Sequence, residues 1–162
     1  MNSNVTPFRN LKHVSLLWAA PERAGEVAEL HRRLFDPPWD EASIKALLEH
    51  PASTSLLAVA GDPKSIKGFV IAQLAADEAE ILSIAVSPDW RRSGLGTMLV
   101  EGLARASKRG EAARIFLEVA EDNEAARSLY RKTGFAEVGR RKSYYHRAEG
   151  KSVDALILEL KL

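Results

Sequence analysis

The chain has 162 residues, which at roughly 100–200 residues per domain is one domain's worth. Lys and Arg number 23 against 22 Asp and Glu, a net charge of +1, and 46% of residues are apolar and 28% charged. That balance excludes a disordered or collagen-like chain, and it leaves no basic excess to hold nucleic acid by counterion release.

Residues 1–12 read as a short polar extension. They lack the basic-then-apolar order of a signal peptide, and no stretch reaches the roughly 18 apolar residues of a membrane span. A cytoplasmic protein without a membrane partner is expected, with residues 13–162 as one domain. Residues 13–20 predict a strand. Pro21 suits a first helical turn, where its missing N–H costs little, and Val27, Leu30, His31 and Leu34 follow at helical spacing. Asp36, Pro37 and Pro38 end that helix. Asp40 predicts the N-cap of a second helix carrying Ile44, Leu47 and Leu48, closed before Pro51. Three strands are expected over residues 55–60, 68–75 and 79–86. A helix follows over residues 94–109, with Leu95, Met98, Leu99, Gly102, Leu103 and Ala106 on one face and Gly110 as its C-terminal glycine. Residues 114–119 alternate as a strand, Ile115, Leu117 and Val119 on one side and Phe116 and Glu118 on the other. Residues 123–133 predict a helix closed by Gly134, and two last strands cover 135–147 and 152–160. The order β-αα-βββ-α-β-α-ββ specifies an α+β (mixed α/β) domain, and its long antiparallel run excludes a simple doubly wound sheet.

Between a strand and a helix stand Arg91, Arg92, Ser93, Gly94, Leu95, Gly96 and Thr97. Two glycines let backbone approach a ligand closely. Free N–H groups and the helix dipole favour an anion there, and Arg91 and Arg92 add charge that suits phosphate. The Walker pattern is absent, and the dinucleotide pattern would need glycine where Leu99 stands. On these residues alone, a phosphate loop and a plain turn with a helix cap stand side by side.

Val86-Ser87-Pro88-Asp89-Trp90, followed by Arg91-x-x-Gly94-x-Gly96, resembles the acetyl-CoA signature of the GCN5-related N-acetyltransferase (GNAT) superfamily. Phe116-Leu117-Glu118-Val119, Asn123 and Leu129-Tyr130-x-x-x-Gly134-Phe135 follow in that superfamily's order. Phe35-Asp36-Pro37-Pro38-Trp39, Ile84-Ala85-Val86 and Arg140-Arg141-Lys142-Ser143-Tyr144-Tyr145 are most similar to the branch that acetylates ribosomal-protein N-termini. The resemblance implies a central, mostly antiparallel twisted sheet flanked by helices. It implies acetyl-CoA as co-substrate, no metal, and direct transfer in a ternary complex to the α-amine of a protein, a ribosomal protein with N-terminal alanine. Expected partners are acetyl-CoA and that peptide, without nucleic acid, the chain being a monomer or weak dimer.

By the same resemblance Glu118 is the base and Tyr130 the acid. Ile84, Ala85 and Val86 offer backbone groups to the acetyl carbonyl and the pantetheine arm. Asn123, Tyr130 and the seven loop residues complete the coenzyme site, and Trp39, Tyr144 and Tyr145 wall the acceptor. The residues themselves leave alternatives. A glutamate of ordinary pKa about 4.3 is a poor base near neutrality without partial burial or a relaying water, so Glu118 reads equally as an ion-paired strand carboxylate. Tyr130 reads as a core aromatic beside Ala126, Asn123 as a helix cap, and Glu80 as a cleft carboxylate or an edge charge. The segment containing Arg140, Tyr144, Tyr145 and Arg147 fits a nucleic-acid stack, a peptide wall or a solvated strand. His13, His31, His50 and His146 lack metal-ligand spacing. Cys is absent, which excludes disulfides, thiolate zinc and a cysteine acyl carrier. Other readings are acetylation of lysine or a small amine, and a non-catalytic CoA-binding domain.

Overall fold

The computed structural model describes residues 9–162, so most of the expected extension, residues 1–8, lies outside the described residues. The strands are β1 (Ser15–Trp18), β2 (Leu56–Ala60), β3 (Ser65–Ala75), β4 (Glu78–Val86), β5 (Arg114–Ala120), β6 (Ala136–His146) and β7 (Ser152–Lys161). The helices are α1 (Ala24–Leu34), α2 (Glu41–Glu49), α3 (Leu95–Arg109) and α4 (Glu124–Lys132). Their order is the one read from the sequence. They build one seven-stranded sheet in the order β1-β2-β3-β4-β5-β7-β6. Every neighbouring pair is antiparallel except β4 and β5. Among the described residues no helix is long and apolar enough to cross a membrane.

Helix positions follow local chemistry. Asp40 Oδ1 accepts from Ser43 N at 2.7 Å and starts α2. Two expectations shift. A 3-10 turn over Leu11–His13 delays β1 to Ser15, and Pro21–Arg23 is a 3-10 turn ahead of α1. Gly110 is the C-cap of α3 as expected, its N–H donating to Ala106 O at 3.1 Å, but it is not left-handed: its φ is −82°, and the positive φ of 66° falls on Glu111. A Cβ on Gly110 would stand 2.5 Å from Leu74 Cδ2, so the end of that leucine would have to move.

Two apolar clusters sandwich the sheet. Leu95, Leu99 and Leu103 of α3 and Tyr130 of α4 pack on one face, against Ala79, Ile81, Ile115, Leu117 and Val119. Val27 and Leu30 of α1 and Ile44 and Leu48 of α2 pack on the other, against Leu57, Phe69 and Ile71. Each fully buried leucine contributes about 1.5–3 kcal/mol.

A bulge in β4 changes which side chains face which cluster. Ile71 opposes Ser83 but the next residue, Ala72, opposes Ile81, so Leu82 is an extra residue. Ala79 and Ile81 face the α3 side before the bulge, and Ile84 and Val86 face it afterwards.

The loop between α1 and α2 hangs on His31, which is 2% exposed. Its Nδ1 accepts from Trp39 N at 3.1 Å, and its ring stacks on Phe35 at 4.1 Å and on Trp39 at 5.0 Å. Burial holds this imidazole below its ordinary value. The folded state therefore binds fewer protons than the unfolded chain. The contribution is fully present above the unfolded value, about pH 6.5, and is lost as pH falls towards the depressed folded value. Urea midpoints taken at pH 7.5 and pH 5.5 should show this loss, and His31→Gln, which keeps an acceptor for Trp39 N–H, should flatten it.

Candidate active site

β4 and β5 are joined by three residue pairs, Glu78 with Arg114, Ala79 with Ile115 and Glu80 with Phe116. Beyond them the strands part, and among the described residues the β5-facing edge of β4 through Ile84, Ala85 and Val86 has no strand partner. Past this edge the chain turns through Pro88–Trp90 and enters the glycine loop. Gly94 is left-handed at φ +89° and is the N-cap of α3, and Arg92 is left-handed at φ +60°. Ser93 is buried and braces the turn: its hydroxyl donates to Trp90 O at 2.5 Å and accepts from Leu95 N at 3.2 Å. The first backbone bond of the helix runs from Met98 N to Gly94 O, so the N–H groups of Gly96 and Thr97 have no partner inside the helix. Arg91 and Arg92 are exposed beside them. Gly96 also has a packing duty, because a Cβ there would lie 3.2 Å from Leu129 Cδ2 of α4.

The split divides two groups of side chains. Ile115, Leu117 and Val119 face α3 and α4, so Phe116 and Glu118 face the opposite side. Ala79 and Ile81 likewise send Glu80 to that side. Burial holds the Glu80 carboxyl above the ordinary carboxylate range, and the Glu118 carboxylate adds to the effect. Glu118 Oε1 is 3.0 Å from Arg141 Nε, which reaches over from β6. Tyr145 joins the group: burial raises its phenol, with Glu118 the second cause. Tyr144 stands edge-on to Tyr145 at 5.2 Å and is 49% exposed.

Tyr130 sits on the other face, 4% exposed, with Phe135 at 5.4 Å. Burial pushes its phenol well above the ordinary tyrosine value, so it stays protonated. Glu118 and Tyr130 thus lie on opposite faces of the sheet.

Other expected residues take more structural positions. Asn123 is the N-cap of α4, its Oδ1 accepting from Ala126 N at 3.2 Å. Trp39 is half-buried with its ring on His31. Arg140 and Arg147 are engaged by carboxylates, Glu121, Glu137 and Asp154 for the first and Asp122 for the second. The contact of Arg141 with Glu118 escaped sequence reasoning, because β7 lies between β6 and β5 and no sequence spacing signals a contact across it.

Comparison with known proteins agrees with this geometry. The chain is 40% identical over 94 residues to the [ribosomal protein bS18]-alanine N-acetyltransferase of Escherichia coli, an alignment covering 58% of this chain and 63% of that protein. It is 35% identical over 135 residues to the protein of the same name from Salmonella typhimurium, covering 83% of this chain and 88% of the relative. The crystal structure of the Escherichia coli ribosomal-protein-S18-alanine N-acetyltransferase superposes with a TM-score of 0.82 at 29% identity, covering 91% of this chain and 93% of that one. Residues 24–135, from the first residue of α1 to the turn ahead of β6, match the Acetyltransferase (GNAT) family, and the chain belongs to that family.

Proposed function

We propose that this chain is an acetyl-CoA-dependent N-acetyltransferase of the cytoplasm, and that its acceptor is the α-amine at the start of a ribosomal protein with N-terminal alanine. The observation that carries this reading is the split between β4 and β5, with Glu118 on one face of the sheet and Tyr130 on the other. The Escherichia coli and Salmonella typhimurium relatives support the choice of acceptor.

Acetyl-CoA would supply an acyl group activated as a thioester. The residues fit such a ligand. The N–H groups of Gly96 and Thr97, with Arg91 and Arg92 beside them, suit a diphosphate. The open edge of β4 along Ile84, Ala85 and Val86 suits an arm that carries amides, and a fixed N–H at the reacting carbonyl is worth roughly 3–4 kcal/mol. Glu118 takes the proton of the amine, directly or through one water. Tyr130 holds its own proton tightly, so its part is to donate a hydrogen bond to the sulfur as charge develops there. Without Cys no acyl group can rest on a thiol of this chain, which supports direct transfer between the two substrates.

Amine chemistry favours an N-terminus. An α-amine titrates near pH 8 and lysine near 10.4, so freeing lysine costs about 3–4 kcal/mol more at neutrality. A modest base such as Glu118 suffices for the first.

A thiol-release assay with acetyl-CoA should show turnover on peptides that begin with alanine. The same peptides blocked at the α-amine but carrying a free lysine should stay inactive. Mass spectra showing acetyl groups only on internal lysines would reverse the assignment. Glu118→Gln and Tyr130→Phe should each lower kcat by about 10²-fold or more, with the acetyl-CoA KM little changed. Steady-state kinetics on folded variants checks this, and full turnover by Tyr130→Phe removes the phenol from the chemistry.

A further inference from the structure

We propose that Arg141 is an internal stand-in for the ammonium of the acceptor: its guanidinium holds Glu118 until an amine arrives and then yields that carboxylate. The inference rests on the acetyl-transfer reading above and adds a residue that sets how readily an acceptor enters.

Two adjacent arginines make the contrast. Arg140 is held by three carboxylates, Glu121 at 2.9 Å, Asp154 at 3.0 Å and Glu137 at 3.1 Å, and is a fixed part of the β6–β7 hairpin. Among the described residues Arg141 has one ion-pair partner, Glu118 Oε1 at 3.0 Å. The Arg141 side chain is 55% exposed and that of Glu118 26%. A pair so open to water is held weakly, whereas a buried pair resists separation. An arriving ammonium can therefore take over the carboxylate at little cost.

Local backbone aims Arg141 at this position. The pairing of β6 with β7 slips between Arg141 and Tyr145, and Ser143 is left-handed at φ +53°. Asp154 locks the slip, its Oδ1 accepting from Ser143 N at 2.8 Å and its Oδ2 from Arg140 at 3.0 Å. Arg141 also has a second contact to keep when it lets go, since its guanidinium carbon lies 5.4 Å from the centre of the Tyr144 ring.

A second carboxyl group stands close by, since the Glu118 carboxylate helps to hold that of Glu80 above the ordinary carboxylate range. An arriving cation is attracted by Glu118, which gives up only an exposed contact to Arg141. Once it takes the place of Arg141, the proton that Glu118 must accept is already in contact with it. No bond to carbon changes in this exchange.

The test is a split between KM and kcat in Arg141→Gln, with Arg141→Lys as the charge-preserving control. The acceptor-peptide KM of Arg141→Gln should fall about two- to five-fold, the worth of an exposed ion pair. The acetyl-CoA KM should hold, and Arg141→Lys should return the peptide KM towards that of the parent. Millimolar methylguanidinium should compete with the peptide in Arg141→Gln more strongly than in the parent. A peptide KM that rises or does not move in Arg141→Gln, while the parent turns over, overturns the stand-in role alone. No turnover of any α-amine peptide by the parent overturns the acetyl-transfer reading and this inference with it.

Discussion

Parallel pairing of β4 with β5 is the constraint on which the rest of the structure depends. Two parallel neighbours cannot be joined by a hairpin, so the chain must cross over, and it does so through α3. The crossover starts where β4 ends, which puts the first turn of α3 at that end of the strand. The two strands stay joined for three residue pairs at the other end and then separate. One topological requirement thus sets a helix end with free N–H groups at the mouth of a gap in the sheet. Ser93 and the left-handed Gly94 then turn the backbone sharply enough for the helix to begin there.

The two faces of the sheet differ in character. Glu118 and Tyr130 lie on opposite faces, in unlike settings. The phenol is packed among apolar side chains of α3 and α4 and keeps its proton. The carboxylate stands in a half-exposed group of charges. The bulge at Leu82 contributes by shifting the alternation of β4, so Ile84 and Val86 continue the apolar wall begun by Ala79 and Ile81.

The sequence carried the element order, the apolar face of α3, the cap at Asp40 and the side of β5 that Glu118 faces, because each follows from periodicity or from one residue's local chemistry. It also carried the start of α3 at Gly94, on the chemistry of a helix N-terminus. What it did not carry are contacts between distant segments. The ion pair of Arg141 with Glu118 spans an intervening strand, and no spacing encodes it. The β6 slip that aims Arg141 depends on Asp154, which sits on the neighbouring strand. Gly110 caps α3 as read, but the left-handed residue is Glu111, one place further on, a shift that no periodicity encodes.

Gly96 shows how far a signature glycine can be trusted. Leu129 of α4 fills the space above it, and Tyr130 is the next residue along. A Cβ at position 96 would crowd that leucine, whose flexible end would have to give by a few tenths of an ångström. The glycine is therefore fitted to the packing of the two helices. A descendant that had given up thioesters altogether would still be under pressure to keep it. Survival of that glycine in a diverged sequence is evidence that the two helices still touch, and only its neighbours can say whether the catalyst outlived them.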